Sequence, residues 1–240
     1  MTELDLFILL HILLFVYWLG GDVGVFYSSK FVLKPELSNE SRLVAAKIML
    51  NLDLIPRICM TLMLTVGGVL AELYGVKHPT WQMVGIWLLA PFWLSMVLLI
   101  HFREGTPLAR TLTRIDYWFR WFLILGILVS VSYSWSIGRF VDAPWLAFKI
   151  LIFAVLVFCG LMIRIYLPPY ITGLHKMGSG QNMSDADNAA MISSMSKARP
   201  WVLVIWAGLV MEATLGIVKP FDKLSEDAML YWQKFATVLS

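Results

Sequence analysis

The sequence predicts an all-α fold, an integral membrane bundle of six transmembrane helices with both termini on the outer, periplasmic side. Three observations carry this. Hydrophobic residues make up 59% of the 240 and charged ones only 15%, where soluble domains carry closer to ~25% charged. Mean hydropathy is +0.75. Six apolar runs reach the ~20 residues that a bilayer core requires, and residues 1–240 read as one transmembrane domain with no internal repeat.

The first span, 5–27, follows an acidic start, "MTELDLF", where a signal peptide would be basic, so it is expected to be retained. It contains "LHILLFVYWLGGDVGVFY", with His11 and Asp22 inside lipid-soluble chain. A short surface segment leads to span two, 49–73, which holds Pro56 and Arg57. Spans three and four, 81–101 and 117–138, flank an arginine-rich connection, "HFREGTPLARTLTRIDYWFR". Span five, 144–166, begins at Pro144, a residue suited to a helix start, and contains Lys149. A long polar cytoplasmic loop, 167–199, precedes span six, 200–218. The segment 221–240 reads as an amphipathic piece lying at the interface.

Basic residues set the orientation. Lys30, Lys34, Arg42, Lys47, Arg103, Arg110, Arg114, Arg120, Arg164, Lys176, Lys197 and Arg199 fall on or at the edges of one set of loops. Lys77, Arg139, Lys219, Lys223 and Lys234 fall on the other. The positive-inside rule assigns the more basic side to the cytoplasm. Arg57 and Lys149 remain within spans.

Depth follows from ~1.5 Å of rise per residue. His11 in span one, Lys149 in span five and Glu212 in span six each fall ~8–10 Å below the outer boundary on that spacing. Deeper, Arg57 has Asp53 one turn away and Asp22 on the neighbouring span, so either aspartate would make a structural ion pair with it. His11, Phe15, Trp18 and Asp22 share one helical face that can point into the bundle.

The cations are scattered over separate loops, which excludes a nucleic-acid footprint. Cys59 and Cys159 both sit in apolar segments and read as small buried hydrophobes rather than a disulfide. His78 falls in an outer loop, where an exposed role is expected. No Ser-His-Asp arrangement can be argued.

Four stretches, in order along the chain, resemble the HemJ-type membrane protoporphyrinogen oxidases and the wider CopD-like superfamily. "LHILLFVYWLGGDVGVFY" is similar to that family's first helix, with its haem-binding histidine. "LIPRICMTLMLTVGGVLAEL" resembles its second helix, "PWLAFKILI" its W-L-x-x-K motif, and "LGIVKPF" its terminal V-V-K-P-F. The resemblance covers spans one, two, five and six, and spans three and four are additional to the family's pattern. It implies that His11 and Lys149 are axial ligands of a haem b iron, with Trp18 and Trp145 matching family aromatics. Glu212 would then orient His11 through its second ring nitrogen or pass protons. A lysine ligates metal only as the neutral amine.

The expected function is therefore a haem b-binding membrane oxidoreductase or electron-transfer protein. Its partners would be the lipid bilayer, a porphyrin or quinone, a redox protein and possible further copies of the chain, in the bacterial inner membrane. Two alternatives stand beside it. One is CopD-like copper transport, with Cys59, Met60 and Met63 as soft donors. The other is a membrane anchor subunit of a redox complex.

Overall fold

The computed structural model describes residues 2–222, and the expected interfacial segment lies, from 223 on, outside the described residues. The described chain is helical throughout: α1 (Glu3–Val32), α2 (Asn39–Leu73), α3 (Thr80–Phe102), α4 (Pro107–Ser136), α5 (Pro144–Tyr166), α6 (Pro168–Gly178) and α7 (Asp185–Val218). All but α6 are long and apolar enough to cross a membrane. Six crossings return the chain to the side on which α1 begins. That side is termed proximal below and the opposite side distal.

Local chemistry explains most helix ends. Thr2 caps α1 and Ser184 caps α7, each with a reciprocal aspartate three residues on (Asp5 and Asp187). Ser38 and Thr106 cap α2 and α4, and Pro107, Pro144 and Pro168 occupy first turns, where no amide donor is needed. The helices overrun the apolar spans at the distal side. The 35-residue α2 is ~52 Å long, well beyond a ~30 Å hydrocarbon core. The expected polar loop 167–199 is mostly helix, formed by α6 and the first half of α7.

The bundle has a core of four helices with a hairpin beside it. α1 packs most extensively on α2, and α5 on α7, with α1 also touching α7. α3 and α4 pack on each other and join this core through α2 and α5 respectively. Thus α1, α2, α5 and α7 are contiguous, and α3 and α4 lie outside them. Small residues make the closest approaches. A Cβ on Gly21 would stand 2.7 Å from the Pro56 ring, and one on Gly208 would stand 2.5 Å from Leu156. Helix association in lipid depends on such close packing, because burying apolar surface there gains little.

A second apolar cluster at the distal side joins α2, α6 and α7 through Met49, Tyr170, Met177, Met191 and Met195. Tyr170 donates to Met49 Sδ at 3.3 Å, and buried Arg42 donates through Nε to the Val32 carbonyl at 2.7 Å. Lys176 of α6 bonds Asp187 of α7 at 2.7 Å. These contacts fold α6 back against α7.

Candidate functional site

Two polar layers lie inside the bundle. The proximal one contains His11 on α1, Lys149 on α5 and Glu212 on α7. The His11 ring lies against Gly67 of α2, where a Cβ would stand 3.5 Å from Cε1. Its Nδ1 is buried with no hydrogen-bond partner, which is costly for a polar atom unless something else uses it. Lys149 Nζ is 3.7 Å from Glu212 Oε2, an ion pair in which both side chains are largely buried. Gly216, one turn beyond Glu212, leaves room for that ammonium, since a Cβ there would stand 3.0 Å from Nζ. Lys149 is close enough to His11 for its charge to reach the imidazole.

Above this layer an aromatic and cationic latch closes the proximal end. Lys219 ends α7 in the left-handed region (φ +44°), followed by Pro220. Its Nζ lies 4.1 Å from the Tyr74 ring centre and donates to Tyr74 Oη at 2.9 Å, while that hydroxyl donates to Asp222 at 2.6 Å. Burial first, then the bond to Asp222 and its charge, push the Tyr74 phenol up to about 12. Trp145 packs edge-on against Tyr74, centroids 5.7 Å apart, and its Nε1 is buried without a partner. Trp18 sits deeper, almost fully buried, edge-on to Phe153 of α5.

The distal layer differs from expectation in its membership. Asp53 pairs with Arg57 within α2, both half-buried. Asp22 is not in that pair. Its Oδ2 is buried without a hydrogen-bond partner, and it lies near enough to Asp53 for the two charges to interact. A further buried polar cluster centres on Asp116 of α4, which is wholly buried. It accepts from Trp93 Nε1 at 2.9 Å and from Arg120 Nε at 2.9 Å, and Arg164 Nη1 is 2.6 Å away as an ion pair. Arg120 also reaches Met60 Sδ at 3.3 Å and stacks over Trp93. Arg120 and Arg164, counted with the loop cations on hydropathy, turn inward instead. The Asp116–Arg120 spacing of four was the available signal.

His78, expected to be exposed, has a side chain only 9% exposed and 3.0 Å from Glu72 Oε2. The backbone N–H of His78 donates to the same oxygen. Cys59 and Cys159 are free and buried. Among the described residues no three or more His, Cys, Asp or Glu side chains converge as a metal-holding group. Shallow clefts on the outer faces of α3 and α4 are lined by Leu88, Pro91 and Phe92, and by Trp118 and Phe122, all away from the buried layers.

Compared with family models, with curated proteins and with solved structures, the chain matches none.

Proposed function

We propose that this chain is a haem b-binding integral membrane protein of the oxidoreductase or electron-transfer class, multi-pass in a bacterial inner membrane with its proximal side facing the periplasm. The observation that carries the reading is His11, a half-buried imidazole whose Nδ1 is buried and unpartnered, in the same proximal layer as Lys149 and Glu212. The likeness of four stretches to HemJ-type helices supports it, because those stretches form the contiguous core α1, α2, α5 and α7.

The donor set fits the group. A neutral imidazole is a good iron ligand, and glycines at positions 67 and 216 keep side-chain bulk away from both nitrogen donors. His11 would hold the iron from α1 and Lys149 from α5. Haem b would supply a one-electron carrier in the apolar interior. The chain's own task is proton placement. Lys149, as an ammonium paired with Glu212, has no lone pair to give, and it becomes a donor only when its proton passes to the carboxylate 3.7 Å away. Glu212 therefore holds or returns that proton, and Trp145 with the Lys219–Tyr74 latch shields the exchange from water. A porphyrin or a quinone is the fitting electron partner, and protoporphyrinogen oxidation is the activity that the resemblance implies.

Copper transport has less support. Met60 Sδ already accepts from Arg120, and Cys59 and Met63 are buried in the apolar core. A redox anchor subunit is compatible with a haem on His11.

The test is an absorption spectrum of detergent-purified protein from haem-replete cells, oxidised and then dithionite-reduced. A Soret band with sharp reduced α and β bands, lost in both His11→Ala and Lys149→Ala, is the expected result. A colourless wild type would sink the reading.

A further inference from the structure

At the distal end of the α1/α7 contact, two cations converge on one ring. Lys30 Nζ lies 5.4 Å, and Arg199 Cζ 5.3 Å, from the centre of Phe26. Trp206 of α7 packs on the same ring, centroids 5.3 Å apart. Arg199 Nε and Trp206 Nε1 are both buried without hydrogen-bond partners. Neither Lys30 nor Arg199 has a carboxylate within ion-pair distance among the described residues. The site therefore presents three donor side chains from two helices and, among the described residues, no carboxylate paired with either cation.

Neighbouring acids do not answer it. Asp22 lies one turn deeper on α1 but faces α2, where its charge interacts with Asp53 and Cys59. Glu36 acts on Arg42. The positive-inside rule accounts for basic residues on this side. It does not account for two of them gathered on one ring, nor for buried donors left unpaired beside them, since like charges repel and unpaired donors are costly.

We propose that Lys30, Arg199 and Trp206 form a binding site for a phosphate group at the distal membrane boundary, supplied by an anionic phospholipid headgroup or by free phosphate. A guanidinium fork matches two phosphate oxygens, an ammonium adds charge, and the indole N–H supplies a third bond. A basic niche between helices at the cytoplasmic boundary, the side to which the loop charges assign the distal face, is where anionic headgroups are held. The site is independent of the proximal layer and of any haem.

The full-length chain in detergent is mixed separately with phosphatidylglycerol, phosphatidylcholine and inorganic phosphate. Bound lipid is counted by native mass spectrometry, and the thermal midpoint is followed in parallel. The expected result is one phosphatidylglycerol retained at least ~10-fold more tightly than phosphatidylcholine, with retention falling several-fold in Arg199→Gln and in Trp206→Phe, as loss of a charge-assisted bond implies. Arg110→Gln, an exposed cation on the same side, should leave retention unchanged. If inorganic phosphate alone raises the midpoint in the wild type but not in Arg199→Gln, the site stands with free phosphate as its ligand. Equal retention of the two lipids without any phosphate effect would overturn the inference. So would unchanged binding in folded Arg199→Gln and Trp206→Phe proteins.

Discussion

Arg164 Nη1 stands 2.6 Å from Asp116 Oδ2, so one carboxylate of α4 holds a guanidinium of α5. The same carboxylate takes Arg120 of its own helix and the indole N–H of Trp93 on α3. This ties the α3–α4 hairpin to α5, beside the packing of α3 on α2. A single buried acid sets the register of three helices.

Removing that acid leaves two buried guanidinia uncompensated. Asp116→Ala should therefore cost ~3–5 kcal/mol, the usual penalty for breaking a buried pair from one side. Thermal unfolding in detergent would show it as a large drop in midpoint and in folded yield. Exchanging Asp116 and Arg120 together for apolar residues of similar volume should cost less than Asp116→Ala alone. A neutral Asp116→Ala would mean that the cluster carries no stability.

Gly21 faces the Pro56 ring, which cannot move aside, whereas a Cβ on Gly20 meets nothing within 4 Å. Gly21→Ala should therefore lose ~1–3 kcal/mol through overpacking. Gly20→Ala should be neutral or stabilising by up to ~1 kcal/mol, since alanine is the better helix former. Melting the two variants side by side checks the α1–α2 interface, and equal midpoints would refute it.

Gly208 meets Leu156, the end of a flexible side chain, rather than a ring. Gly208→Ala is expected to cost ~1–3 kcal/mol, and Leu156→Ala in the same chain should recover part of that loss by making room. The coupling between the two changes in a double-mutant cycle measures how tightly α5 and α7 meet.

Gly67 gives ordinary contact distance to the His11 ring. Gly67→Ala should keep the wild-type spectrum and thermal midpoint. If His11 holds the proposed haem, Gly67→Leu should push the imidazole away and lose the haem bands while the helices, read by far-UV circular dichroism, remain. Retention of the bands in folded Gly67→Leu would separate His11 from the haem.

Asp187 holds α6 against α7. Its hydrogen bond from Lys176, then those from Ser184, hold its carboxyl well below the usual carboxylate range. A lowered folded value stabilises the fold above the ordinary aspartate range near ~4 and is lost as pH falls through the folded value. Asp187→Asn should therefore lower the melting midpoint at neutral pH. Its gap to the wild type should close only under strongly acidic conditions. A gap independent of pH would exclude the charged contact as the cause.

Hydropathy by itself determined the six crossings, because lipid demands a long apolar run whatever the neighbours are. Pro144 marked where α5 begins, whereas the start of α4 at Pro107, ten residues ahead of its apolar run, and the helix α6 inside the expected polar loop emerged only in the structure. The ionisable residues His11, Lys149, Glu212, Asp53 and Arg57 were likewise legible, since a charge within an apolar run stands out on its own. What pairs with what was not legible. Arg57 had two aspartates within reach on the sequence, and the structure joins it to Asp53 and leaves Asp22 out of that pair, because α1 and α2 approach along Gly21 and Pro56 and set the rotation of each helix. Asp116, Arg120 and Arg164 were hidden for the same reason. Near the end of a span the sequence cannot tell a side chain that reaches to water from one that turns into the bundle, since helix length past the membrane and helix rotation are decided by packing. The convergence of Lys30 and Arg199, more than 160 residues apart in the chain, on Phe26 is of this kind. Only the packing of α7 on α1 brings them together.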